Sequence, residues 1–237
     1  MDRQHRHDLK HDKFVDEIGV LSSRARDNQR LLYTIGGAAI AIALIVYGVY
    51  FYRSNRETNA QRELATAITT FEAPVGDPAE GQPATPGPRF KTEAEKTAAA
   101  EKQFKDVQAK FSGSDASDIA GLYLARLAVQ RGEPKAARPL FEKFIDEHDD
   151  HTLASAARYS LYQLRIESGE AAQVSTELTA ELNKAEPSLP GDSLLMLLAQ
   201  SYEMQGNTAK SLEQYRRITN EFPESPYAIE AHRRVGA

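Results

Sequence analysis

Apolar residues in this chain follow three patterns: one unbroken block, one helical stripe that recurs, and one proline-rich stretch that can sustain neither. The block is "RLLYTIGGAAIAIALIVYGVYFYR", in which Leu31 to Tyr52 are 22 consecutive residues without a charge. As a helix rising 1.5 Å per residue it reaches about 33 Å, enough to cross a hydrocarbon layer of about 30 Å. Its ten large apolar side chains between Leu31 and Phe51 favour insertion by about 3–6 kcal/mol. A cleaved export signal would carry an apolar region of about 7–15 residues ending at a small-x-small site. This block instead ends in Tyr47, Tyr50, Phe51 and Tyr52, with Tyr33 at its other end, and such side chains belong at a headgroup interface. The pattern predicts a permanent transmembrane helix over 31–52, neither a cleaved signal nor the core helix of a soluble protein.

The stripe begins just after the block. Leu64, Ala67, Ile68 and Phe71 share one helical face, which predicts a juxtamembrane helix over 53–72. The gap follows: "APVGDPAEGQPATPGPRF", Ala73 to Phe90, has five prolines and three glycines in 18 residues. That composition predicts a semi-extended linker over 73–90, reaching about 40 Å or more and holding a folded domain away from the bilayer. From Lys91 onward apolar residues return at helical spacing, and no segment alternates with period 2 long enough for a strand. The expectation is an all-α domain over 91–237. Residues 1–30 form a tail in which Phe14, Val15, Ile18 and Leu21 suit either a short amphipathic helix or a solvated segment.

Within the domain the stripe recurs at a fixed period. Gly132, Gly169 and Gly206 are spaced by 37 and 37. Nine residues after each glycine stand Phe141, Leu178 and Tyr215, with Phe104 one period upstream; five after stand Ala137, Val174 and Ser211, with Ala100 upstream. Twelve after come Phe144, Glu181 and Ile218, with Val107 upstream, so Glu181 is the one break in the column. Each unit reads as two antiparallel helices joined at a glycine. The first helix buries pairs such as Leu124 and Ala125, Leu161 and Tyr162, or Leu198 and Ala199. The second returns a small residue and a large one against them. One unit cannot bury its own face, so units stack into a solenoid with a concave groove.

Charge and candidate chemistry narrow the function. Seven Lys and Arg against six Asp and Glu leave residues 1–30 at +1, so with the chain at −5 the remainder carries −6. That balance excludes a nucleic-acid partner, which needs a basic face. There is no cysteine, which removes disulfides, thiol nucleophiles and the lipid attachment site of an exported lipoprotein. The usual nucleophile-elbow, phosphate-loop and metalloprotease motifs are missing, so no enzyme, cofactor, metal site or small-molecule substrate is expected. His5, His7 and His11 in the tail and "DEHDDH", Asp146 to His151, carry metal-binding residue types. Both read as solvated segments, the second a turn between units. Lys13, Arg24, Arg26 and Arg30 before the apolar block against Arg53, Arg56 and Arg62 after it barely bias orientation. The layout of a short tail, one span and a long polar domain predicts a cytoplasmic tail and an exported domain.

The repeat columns resemble the tetratricopeptide repeat (TPR), best where Leu198, Ala199, Tyr202, Gly206, Ser211, Tyr215, Ile218 and Pro223 fall on the family's small-and-large positions and its terminal proline. The resemblance implies an all-α fold of one transmembrane helix followed by a TPR-like solenoid of helix-turn-helix repeats. It also implies a protein-binding scaffold with a concave groove at Leu122, Arg126 and Val129, then Tyr159, Gln163 and Ile166, then Met196, Gln200 and Glu203. Those nine positions equally suit packing against a neighbouring helix. The whole layout, with "HDLKHDKFVDEI" ahead of a single anchor and degenerate repeats, is similar to the YfgM-like family. That similarity implies a bacterial inner-membrane protein with a periplasmic repeat domain, associated with the Sec translocon and periplasmic chaperones. The tail "FPESPYAIEAHRRVG" resembles periplasmic TPR proteins of envelope assembly and cell division, which is the alternative it implies.

Overall fold

A computed structural model describes residues 29–76 and 87–236. The tail features, Phe14 to Leu21 and His5 to His11, and the middle of the proline-rich segment, 77–86, lie outside the described residues. The described elements are helices α1 (Gln29–Phe71), α2 (Glu93–Lys110), α3 (Asp115–Gln130), α4 (Pro134–Glu147), α5 (Ala154–Arg165), α6 (Ala171–Leu182), α7 (Gly191–Met204), α8 (Thr208–Glu221) and α9 (Ala228–Val235), with a wide π turn at Ile166–Glu170 between α5 and α6. The chain divides into two compact units, Met1–Arg56 and Glu57–Ala237, and α1 contributes residues to both.

In the first unit the apolar part of α1 is exposed, with no other described residues packed on it. Ile40, Ile45 and Tyr50 are 64%, 66% and 69% exposed, and the helix is long and apolar enough to cross a membrane. Its polar groups are kept local: the Thr34 hydroxyl donates to the Arg30 carbonyl at 2.7 Å. Tyr47 and Phe51, one turn apart, stack with ring centroids 6.4 Å apart.

The second unit starts earlier than the sequence pattern suggests. Ala60, Leu64 and Ala67, at i, i+4 and i+7, are buried in one cluster with Phe104, Val107, Phe111 and Leu127. The end of α1 is therefore the first helix of a hairpin whose second helix is α2, and packing begins near Glu57, not at Lys91. The proline-rich segment joins these two helices, which corrects the expectation of a spacer. Its ends lie side by side: the Gly76 N–H donates to the Phe90 carbonyl at 2.9 Å, and the Phe90 N–H to the Pro74 carbonyl at 3.3 Å. Burial of the 60–71 stripe requires this return. An extended 73–90 would pull α1 away from Phe104 and leave both faces bare.

The hairpins α3–α4, α5–α6 and α7–α8 repeat the plan, and every column of the 37-residue pattern faces the core. Phe104, Phe141, Leu178 and Tyr215 are at most 1% exposed, and Ala100, Ala137, Val174 and Ser211 at most 2%. The small residue lets two helix backbones approach, and the large one fills the space a turn further on. Gly132 and Gly206 end α3 and α7 in the left-handed region, each at φ +71°. There Gly132 N–H donates to Val129 O, and Glu133 N–H to Ala128 O, both at 2.9 Å. This paired cap satisfies carbonyls that the helix end leaves free and needs a residue without Cβ strain.

Glu181, the break in the column, is buried yet fully satisfied. Its carboxylate accepts from the Ser188 N–H at 2.6 Å and from Lys184 at 2.5 Å. Burial alone would raise its pKa, but Lys184 and Ser188 outweigh burial and hold it below the ordinary carboxylate value. An apolar residue in its place would leave the 183–190 turn without that acceptor.

Candidate functional site

The open face of the second unit lies between α3 and α5. From α3 come Leu122, Arg126 and Val129 at i, i+4 and i+7; across from them stand Ser160, Gln163 and Glu167, and Phe141 of α4 contributes apolar surface. Together they line two adjoining cavities of about 230 and 200 Å³ that share Arg126, Phe141 and Ser160. Each falls below the roughly 300–1,000 Å³ of a small-ligand pocket. Ala156, Ala157 and Ser160 on the α5 wall are small, and large residues there would fill the opening.

Arg126 stands where the two cavities meet. Its guanidinium lies 5.2 Å from the centroids of both Phe71 and Tyr123. Those rings belong to an aromatic trio, with Tyr123 stacked on Phe104 at 5.0 Å and Phe71 edge-on to Tyr123 at 5.4 Å. Stacking on ring faces fixes the side chain while leaving its N–H edge free to donate.

The nine positions mapped from the repeat family divide into two groups. Leu122, Arg126, Val129 and Gln163 line the groove. Ile166 lies in the core with Val174 and Leu198, 3% exposed, and continues the helical backbone of α5 ahead of the kink at Gly169. Tyr159 stacks on Tyr227 at 6.1 Å, and burial, reinforced by Tyr227, pushes its hydroxyl pKa well above the ordinary value. Met196 is buried with Tyr215 and Ala231, Gln200 is half-buried, and Glu203 accepts from Arg234 at 3.1 Å. The cause is α9, whose Ala231 and Val235 pack against the face of α7 that the family mapping left open. Tyr123, Phe141 and Ser160 complete the groove; of these the sequence pattern marks Phe141 alone, and as a buried column residue. Tyr123 sits three residues before Arg126, but its stacking partners come from α1 and α2 and are invisible to helix periodicity.

A larger cavity of about 500 Å³ lies between α2 and the end of α3, walled by Ala94, Thr97 and Ala98. Its charged rim is already satisfied, since Glu101 takes Arg131 at 2.5 Å and Lys105 at 2.7 Å. The α3–α5 groove differs in holding a guanidinium, that of Arg126, with no carboxylate partner among the described residues. Near the turn after α4, donor atoms of Asp118, Glu147 and His148 lie within 4.8 Å of one another. His148 Nε2 is 3.0 Å from Asp118 Oδ2, Lys143 is 3.7 Å from Glu147, and the Phe144 ring packs at a tilt on His148 with centroids 5.2 Å apart. The His148–Asp118 contact links α3 to the end of α4, while Asp146, Glu147, Asp149 and Asp150 of the turn are exposed.

Comparison with protein families agrees with this geometry. A family model described as tetratricopeptide repeat-like domain matches residues 29–188, and one described as tetratricopeptide repeat matches residues 193–225. No curated protein matches the chain at a significant level. The first match begins at Gln29, the first residue of α1, so the apolar helix, the proline-rich segment and the early hairpins fall within one family pattern. The chain belongs to the tetratricopeptide repeat-like domain family.

Proposed function

We propose that this protein is a non-enzymatic scaffold, tethered to the bacterial inner membrane by α1, that holds protein segments in the α3–α5 groove on the periplasmic side. The groove carries the reading, because its apolar walls, amide groups and exposed guanidinium suit an extended or helical segment held by shallow pockets and a few hydrogen bonds. Exposure of the whole apolar face of α1 supports the tether, since such a surface is stable only in lipid or against another membrane helix. The similarity of the layout to the YfgM-like family supports a place beside the Sec translocon and periplasmic chaperones.

Two measurements test it. A cysteine at exposed Ala209 should react with an impermeant reagent once the outer membrane is permeabilised; protection there puts the repeats in the cytoplasm and sinks the proposal. A photo-reactive residue at Gln163 should capture translocon subunits or chaperones in intact cells, and Ser160→Trp should abolish the adducts. Capture of outer-membrane assembly or division proteins in their place would move the same scaffold to envelope biogenesis.

A further inference from the structure

We infer that the α3–α5 groove selects segments carrying an internal acidic side chain, with Arg126 as the residue that binds its carboxylate. The inference rests on the protein-binding reading above and specifies its ligand. Arg131 pairs with Glu101, Arg138 with Glu142 and Glu170, and Arg165 with Glu177, while Arg158 donates to the Asp149 carbonyl. Arg126 has no carboxylate partner among the described residues, although it is held in place by Phe71 and Tyr123. A guanidinium fixed over aromatic faces presents its donors edge-on, and a carboxylate can take two of them in parallel. Arg126 is exposed, so an incoming carboxylate can reach it, and Leu122 and Phe141 of the same cavity offer apolar surface to the residues beside that carboxylate.

The position of Arg126 also says where in the ligand the charge must lie. It lines both cavities, so the groove continues on either side of it. A chain terminus would leave one cavity empty, whereas a residue inside a segment places its neighbours in both. Glu167 lines the second cavity and likewise has no cationic partner among the described residues. It repels an acidic group placed further along that cavity and so sets the register of the ligand around Arg126.

The test uses the full chain in detergent micelles and a random-peptide phage library in which each peptide is flanked on both sides. The wild type should enrich sequences with a central Asp or Glu between apolar residues. A synthetic copy of the best peptide should bind about tenfold more weakly when its acidic residue becomes the amide, as expected for loss of a hydrogen bond to a charged group. Arg126→Gln should bind the acid and amide peptides alike, Arg126→Lys should keep the preference for the acid, and Arg126→Glu should reverse it toward a basic peptide. Wild-type enrichment of apolar peptides with no acidic preference, blocked by Ser160→Trp, would overturn this inference and leave the groove reading standing. Preference for a free C-terminal carboxylate over its amide, with no effect of internal acids, would also overturn it. Peptides bound equally by Ser160→Trp, or no enrichment at all, would remove the groove reading and this inference with it.

Discussion

Arg165 donates two parallel hydrogen bonds to Glu177, at 2.6 and 2.8 Å, and a third to Glu170 at 2.9 Å. The pair joins the end of α5 to the middle of α6 across the π turn, and Arg138 of α4 extends it to Glu170 at 2.5 Å. Glycine at position 169 adopts φ +93° inside this turn, the same left-handed region as Gly132 and Gly206, so the charge network adds to a glycine turn of the kind that closes the other repeats. Arg165→Met should destabilise the unit by about 1–2 kcal/mol, the cost of charged hydrogen bonds discounted for the partial exposure of Glu177. Urea unfolding followed by far-UV circular dichroism measures it, and an unchanged midpoint would show the network to be idle.

The same network fixes the response to acid. Arg165 lowers the Glu177 carboxyl and, ahead of Arg138, that of Glu170; both stand below the ordinary value despite opposing burial. A carboxylate whose folded pKa is depressed contributes stability that is complete above its unfolded value and lost as pH falls through the folded one. Stability should therefore hold from neutral pH down to about 5 and decline toward about pH 3. The decline should be shallower in Arg165→Met, where Glu177 titrates near its ordinary value. Melting temperatures across that range decide the matter.

Leu64 tests where the packed unit begins. It is 3% exposed and lies in the cluster of Phe104 and Leu127, so Leu64→Ala should cost about 2–5 kcal/mol. Ala65→Ser, at an exposed position of the same helix, should cost almost nothing. Equal behaviour of the two variants in urea titrations would remove the end of α1 from the core.

Gly206 closes α7 with a paired cap, Gly206 N–H to Glu203 O and Asn207 N–H to Tyr202 O, both at 2.8 Å. A Cβ added there meets no atom within 4 Å, so strain at positive φ is the whole effect of Gly206→Ala. The expected loss is about 1–2 kcal/mol. Gly36→Ala in α1, where the backbone is ordinary helix, should leave the unfolding midpoint unchanged.

Glu181 separates a defect from a device. Glu181→Leu restores the apolar column but strips the Ser188 N–H and Lys184 of their acceptor. We expect a loss of about 1–3 kcal/mol, with faster hydrogen exchange at the Ser188 amide. A gain in stability would show the column to matter more than the turn.

Much of this architecture was legible in the residues. Twenty-two uncharged positions ending in aromatics mark a helix that water rejects, because length and composition alone decide that. Glycines every 37 residues, with small and large side chains at fixed offsets, mark hairpins and their buried faces, because φ above zero and close helix approach each restrict residue type sharply. Of the nine positions mapped from the repeat family, Leu122, Arg126, Val129 and Gln163 line the α3–α5 cavities, whereas Ile166 and Met196 are core.

Tertiary structure alone decided which surface each apolar face meets. The 60–71 stripe reads the same whether it meets lipid or Phe104, and the return of the proline-rich segment settles it in favour of Phe104. Met196 has the same helical position as a ligand-facing residue until α9 folds over it. Arg126 looks like any exposed arginine until Phe71, 55 positions earlier in the chain, is placed beneath it. Periodicity records that a face is covered; only long-range packing determines what covers it.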